Sequence, residues 1–415
     1  MTFLRTTHTI KQRQRGAVFI VMLVFLIIGI TAFLVSSLSS TAIQISRDEI
    51  TSKALAQAKE ALIGRAIADA NHPGSLPCPD TNDDGISEGG ATCTIGHIGR
   101  LPWKTLGLPD LRDGYGERLW YALSPNFHDS SNIINSDTKG TLQIYDNSGT
   151  TLITSEAVAI IFAPGNVVVS QQRDTPANQN NAQNYLDVGP SSINNYTAAG
   201  PFIAANKTSI FNDRLLIIKT SDIMPIVETR VAKELLTALT SYQSANSNKY
   251  PHPANLAGCT SVSCLSDPAV CIGKIPATEP TLAALLPAWF SSNNWFDVIY
   301  YTAGTNSLTA GGAGSGTIGW GKNGKGYGGL SGTGTVTGTA TGGPGTGCYA
   351  TALHVSVTSV QALFLMPGTA TSGVTRTGLT SSNLSQYFED MENQNLNDLY
   401  VLPTSTSNDS LYTLP

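Results

Sequence analysis

Asp80-Thr81-Asn82-Asp83-Asp84-Gly85-Ile86-Ser87-Glu88 is the run best equipped for chemistry, because Asp80, Asn82 and Asp84 alternate ahead of a turn glycine. Hard cations take carboxylate and carbonyl oxygens at such alternating positions, which is how a Ca²⁺ loop begins. The twelfth position is Ala91, where an EF-hand has a bidentate glutamate. Two readings therefore stand: a Ca²⁺ loop held by Asp80, Asn82, Asp84 and Glu88, and a solvated acidic turn. Ca²⁺ is the one cofactor the sequence suggests. Cys78 and Cys93 bracket the run. A bridge closing about 15 residues contributes roughly 3 kcal/mol in the chain-entropy view.

The remaining cysteines are Cys259, Cys264, Cys271 and Cys348, and their pairing is open. All six lie beyond the first apolar segment, an even number that permits disulfides in an oxidising compartment. Zinc is the competing reading, but it calls for closely paired cysteines or a neighbouring histidine, and Cys259, Cys264 and Cys271 offer neither. Gly319 to Gly326 satisfies a GxGxxG string, yet the Ser or Thr of a phosphate loop is replaced by Gly326 and no amphipathic helix follows. The stretch reads as a surface loop. No GxSxG or HExxH motif occurs, and the six histidines are scattered without ligand spacing, so no catalytic group is assigned and an enzyme is not expected. A net charge of −5 gives no basic field for nucleic acid. Charged residues are 13% of the chain, about half the usual share, which suits the Gly, Ser, Thr and Asn-rich surface of an exported protein.

The elements that would carry these loops begin with MTFLRTTHTIKQRQRG, which has Arg5, Lys11, Arg13 and Arg15 and no acid. The apolar stretch Ala17 to Val35 follows directly. About twenty residues at 1.5 Å each cross a bilayer core, so the reading is one membrane pass with the basic flank inside and the bulk outside. A plain signal anchor fits this order, as does a cleaved secretory signal ending near Ser37 and Ser39. A basic leader ending in Gly16 before an apolar helix also resembles the class III leader of type IV prepilins and type II secretion pseudopilins. That resemblance implies a prepilin peptidase cutting between Gly16 and Ala17, methylation of Ala17, and helix packing against other pilins or pseudopilins. It also implies an inner-membrane location, with the C-terminal bulk periplasmic or extracellular. Val21 stands where most members carry a glutamate as fifth mature residue, which is similar to the tip-type minor members. The function implied is a minor pilin or pseudopilin subunit, a tip position included. The alternative is a non-polymerising, inner-membrane-anchored periplasmic binding or adhesion module.

Beyond the apolar stretch, Ile43, Ile50, Ala54, Ala58, Leu62 and Ala66 recur at intervals of four or seven, a helical period. One helix is expected from Ala17 to about Ala70, stopped by His72-Pro73-Gly74. The sequence then repeats itself. Ala58 to Leu62 (AKEAL) returns as Ala232 to Leu236 (AKELL), Leu76-Pro77-Cys78-Pro79 as Tyr250-Pro251-His252-Pro253, and Leu101-Pro102-Trp103 as Leu286-Pro287-Ala288-Trp289. Leu119-Trp120-Tyr121 returns as Ile299-Tyr300-Tyr301, AIIFAPG at Ala159 as ALFLMPG at Ala362, and Asn212-Asp213-Arg214-Leu215 as Asn408-Asp409-Ser410-Leu411. The fold class expected is α+β: a long N-terminal membrane-spanning helix, then two tandem pilin-like heads, each an antiparallel sheet packed on a helix. The boundaries read as a leader over 1–16, a transmembrane half-helix over 17–40, a first head over 41–224 and a second over 225–415. A Gly-rich insertion occupies 304–347 of the second head.

Overall fold

No proline interrupts the chain before Pro73, and residues 53–66 are rich in Ala, Leu, Lys and Glu, which are strong helix formers. In this computed structural model they lie in α1, Arg15–Ala68. The structure describes residues 15–415 except 90–92, 94–97, 131, 169–170, 268–269, 271, 305–306, 310–315, 318–338, 341–352, 372–373, 381, 395–398 and 405–406. Within α1 the side chains of 15–18, 32 and 34–40 also fall outside the description. The helix stops where Asp69 folds back, its Oδ1 accepting from the amides of Asn71 (2.9 Å) and His72 (2.7 Å). Gly74, at φ +98°, then turns the chain away.

The structure corrects the expected membrane pass. Among the described residues no helix is long and apolar enough to cross a membrane. The fold is α+β, and among the described residues no half-helix over 17–40 spans a membrane, so the expected single-pass inner-membrane placement is not supported.

The first sheet contains β1 (Ile98–Arg100), β2 (Trp120–Leu123), β3 (Leu142–Tyr145), β4 (Leu152–Ala163), β5 (Phe202–Ile203) and β6 (Arg214–Lys219). Its order is β1-β2-β4-β3-β5, with β6 also pairing β4. The pairs are antiparallel except β3 with β5, so this sheet is mixed and not purely antiparallel as expected. Next comes α2 (Thr220–Ala245). The second half adds β7 (Ile272–Lys274), α3 (Pro280–Ala283), α4 (Ala288–Ser292), β8 (Tyr300–Ala303), β9 (Gly316–Thr317), β10 (Thr339–Ala340), β11 (Leu353–Val355), β12 (Thr358–Val360), β13 (Ala362–Met366), α5 (Leu384–Tyr387), β14 (Leu399–Tyr400) and β15 (Ser410–Leu414). Its main sheet runs β15-β13-β8-β7, antiparallel throughout, and β12-β11-β14 forms a small separate sheet. The GxGxxG string at 319–326 lies outside the described residues.

Register matches between the halves residue for residue. Tyr121 pairs with Gly99 on one side and Ile161 on the other, as Tyr301 does with Gly273 and Phe364. Ile161 then pairs with Leu216, and Phe364 with Tyr412. Both Gly99 and Gly273 are required by close approach, since an added Cβ would stand 2.5 Å from the Asp80 carbonyl oxygen and 1.9 Å from that of Ala254. Those carbonyls belong to matching bridges, Asp80 with Arg100 and Ala254 with Lys274.

The two sheets are separate, but the core is not. One cluster of buried side chains runs from Ala54, Ala58 and Leu62 of α1, through Val227, Val231, Leu235 and Leu239 of α2, to Tyr121 and Ile161 of the first sheet and Tyr301 and Phe364 of the second. Of the aromatic residues whose types suit a core, Trp120, Tyr121, Trp289, Trp295 and Tyr300 are buried, while Trp103 is only half-buried. The other face of the first sheet has its own cover, where Trp120, Ile160 and Phe162 meet Tyr185 and Phe202. Leu235 is fully buried at the junction. Leu235→Ala should lower stability by about 2–5 kcal/mol through the cavity it leaves. Denaturant unfolding of this variant should remain one transition, shifted as a whole. A shift confined to the second of two transitions would show that the halves are energetically separate.

Candidate functional site

The acidic run folds onto its own backbone. Asp80, 1% exposed, accepts from the amides of Asn82 (3.1 Å) and Asp83 (2.7 Å) at Oδ1 and of Gly85 (2.6 Å) at Oδ2. Asn82 Oδ1 accepts from the Asp84 amide and Asp84 Oδ1 from the Ile86 amide, so each alternate side chain closes the next turn. Glu88 reaches back to accept from the Thr81 hydroxyl at 2.8 Å. Asp83 (φ +66°) and Gly85 (φ +82°) take left-handed backbone, and a Cβ on Gly85 would meet Trp103 Nε1 at 2.6 Å. Burial pushes the Asp80 carboxyl up, while the amides that bond it oppose that shift. The protein supplies counter-charges of its own: Arg118 Nη1 stands 2.8 Å from Asp83, and Lys104 donates to the Asp84 carbonyl. Asp80, Asn82, Asp84 and Glu88 are thus in one loop, with Asp80 buried, Asn82 and Asp84 exposed, and their oxygens bonded to nearby groups of the loop. Among the described residues, however, no group of three or more His, Cys, Asp or Glu side chains is placed to hold a metal ion.

Cys78 and Cys93 are bonded, with Cα atoms 5.8 Å apart, and tie the ends of this loop together. Cys259 and Cys264 form a second disulfide over a separation of 5 residues. Cys271 and Cys348 lie outside the described residues. Gly16 and Ala17 fall in the first turn of α1, far along the helix from either loop.

A second constellation was not read from the sequence, and it occurs twice. In the first half Arg173 donates to the carbonyls of Gly165 (2.9 Å), Asn184 (2.9 Å) and Tyr185 (3.2 Å) and lies 4.8 Å from the Tyr185 ring centroid. In the second, Arg376 donates to Gly368 (2.7 Å), Gln386 (2.7 Å) and Tyr387 (3.4 Å) and lies 4.7 Å from the Tyr387 ring. Two residues beyond each tyrosine, Asp187 and Glu389 donate their amides to Asp213 (2.8 Å) and Asp409 (3.0 Å). The side chains of Asp187 and Glu389 in turn accept from the amides of Asn212 (2.6 Å) and Asn408 (3.3 Å). The sequence signal was available: each arginine follows its Ala-Pro-Gly or Met-Pro-Gly glycine by eight positions.

The first corner buries two neighbouring carboxyls, Asp187 and Asp213, whereas in the second Asp409 is buried and Glu389 is exposed. Burial, then the Asp187 carboxylate, pushes Asp213 well above the usual range, and burial with Glu389 pushes Asp409 up to about 8. Like charges held together in a poorly solvated site resist ionising together, so in the first corner a proton shared between Asp187 and Asp213 is the chemistry supported. Asp213 and Asp409 each keep one buried oxygen without a hydrogen-bond partner. Arginine, glycine carbonyl and carboxyl pair together pin the strand-leaving turn of β4 or β13 to the strand-entering turn of β6 or β15. That work is positional, and Ser407, whose Oγ donates to Glu389 at 2.9 Å and accepts from the Asp409 amide at 3.1 Å, braces the second pair.

No family model, no curated protein and no solved structure matches this chain.

The loop makes a direct prediction. Millimolar Ca²⁺ should raise the thermal midpoint of the protein, since a ligand held only by the folded form must do so. Asp84→Asn should remove that rise. An unchanged midpoint in the parent protein would leave the loop an acidic turn closed by its own amides.

Proposed function

We propose that this protein is a minor pilin- or pseudopilin-type structural subunit, a tip position included, that assembles through the N-terminal part of α1 and catalyses no reaction. One observation carries the reading. Every apolar side chain from Phe19 to Ile30 is 46–71% exposed, on a helix whose later turns, from Thr51 to Ala66, are buried by the body of the protein. A continuous apolar surface of this kind is costly in water and marks an interaction site. Neighbouring helices of the same character would cover it on all sides.

The basic leader ending at Gly16, the repeated helix-and-sheet unit and the disulfide-closed loop support the same reading. Val21 in place of a glutamate fits a subunit that needs no partner above it. A prepilin peptidase and other pilins or pseudopilins are the partners this function requires. The second possible role, a binding module that does not polymerise, has no separate observation in its favour and becomes an outcome of the test.

Mass spectrometry of the mature chain should find it starting at a methylated Ala17, and Gly16→Trp should block that maturation. A chain that keeps residues 1–16, or a variant that matures at the same residue, would overturn the assignment.

A further inference from the structure

Residues 134–138 leave the first half and enter the second. The Ile134 amide donates to Asn293 Oδ1 at 2.9 Å, and Asn135 Nδ2 to the Asn293 carbonyl at 3.0 Å. Ser136 Oγ donates to Glu228 Oε1 at 2.5 Å, and Asp137 Oδ2 accepts from Tyr387 Oη at 2.8 Å. The segment is a tight turn, braced by the Thr138 amide to the Asn135 carbonyl and the Asp137 amide to Asn135 Oδ1. Its tip thus touches α2, α4, α5 and the Arg376 segment together.

The charges around this tip do not balance easily. Glu228, on the buried face of α2, is 6% exposed, and its one hydrogen bond is to Ser136. Facing it are Asp137 from the turn, Arg376 from the second half and Tyr412 from β15, with Tyr387 behind Asp137. Arg376 is the nearest cation, but its donors go to the carbonyls of Pro367, Gly368, Gln386 and Tyr387, and its Nη1 lies 3.6 Å from Asp137. Asp297, also near Asp137, is held by Lys274 at 2.5 Å. Among the described residues no cation bonds Glu228, and Arg376 acts on it only at a distance. Once ionised, it would stand as a second carboxylate beside Asp137 in a site closed to water.

We propose that the 134–138 turn is a proton-controlled latch between the two halves, closed while Glu228 holds a proton and released when that proton leaves. Release relieves the buried charge by letting water reach α2. It also breaks the bonds to Asn293 and Tyr387, loosening the joint while the shared core keeps the halves attached. Burial pushes the Glu228 carboxyl up to about 7, with Asp137 adding to the rise and Ser136 and Arg376 opposing it. A raised folded value means that the stabilisation is full at acid pH and is lost as pH climbs through about 7.

Hydrogen exchange of the whole protein at pH 6.0 and 8.5, corrected for the intrinsic rate, tests this. Between its free value and its folded value each pH unit is tenfold in the closed-to-open ratio, and above the folded value nothing more is lost, so protection of the Ile134 amide should fall about tenfold between pH 6.0 and 8.5. The Ile161 amide in β4 should keep its protection. Glu228→Gln, neutral at both pH values, should hold the Ile134 amide protected throughout, and Ser136→Ala should weaken it at pH 6.0. Equal protection of Ile134 at the two pH values in the parent protein would overturn the proposal, as would a Glu228→Gln protein that loses protection to the same degree.

Discussion

The molecule depends on one burial constraint: α1 and α2 each present an apolar face that neither sheet could cover alone. Ala54, Ala58, Leu62 and Ala66 of α1 pack where small side chains let α2 approach, and Val227, Val231, Leu235 and Leu239 fill the space between the sheets. A helix pair shared this way converts two repeated units into one core without joining their sheets. It also explains why α2 follows β6 with no linker, since Lys219 ends the strand and Thr220 begins the helix. The short connection places α2 directly beside α1.

Polar groups trapped by this arrangement are satisfied in two different ways. In each half an arginine and a carboxyl pair lock the turn after the central strand, and the bonds repeat atom for atom between Arg173 and Arg376. The two copies diverge at the next contact. Arg173 pairs with Glu117 of its own half at 3.1 Å, whereas Arg376 reaches Asp137 of the other half. The same arrangement is thus a local brace in the first half and part of the joint in the second. Buried ionic groups at such a joint fix orientation more than they add stability, because removing them from water is costly.

Much of the repeat was legible in the sequence because strands and helices announce themselves by local pattern. AIIFAPG and ALFLMPG occupy equivalent places in β4 and β13, and the α2 stripe at Val227, Val231, Leu235, Leu239 and Tyr242 is buried. Less was legible where partners are distant. Ile98-Gly99-Arg100 and Ile272-Gly273-Lys274 match in pairing, but three residues are too few to stand out until the bridges to Asp80 and Ala254 are seen. The corner joins residues scattered over 165–213, and only the constant spacing from glycine to arginine hints at it. The latch is invisible for the same reason, since Ser136 and Glu228 meet over 92 positions. At the N-terminus composition was read as a membrane pass, and the described helix does not sustain that reading. The acidic loop was located correctly as a loop, while the inward turn of its oxygens onto its own amides needed coordinates.

What remains for α1 is a long helix whose apolar side chains from Phe19 to Ile30 lie bare while one face of its later turns is held in the core. We propose that other helices cover the bare turns. Single cysteines placed in turn at Phe19, Val24, Ile27 and Ile30, oxidised in cells that make the protein, measure this directly. The account predicts covalent products joining α1 to the corresponding helix of another subunit, strongest at positions that recur with the 3.6-residue helical period. A protein that stays uncrosslinked to any other helix at all four positions would contradict it.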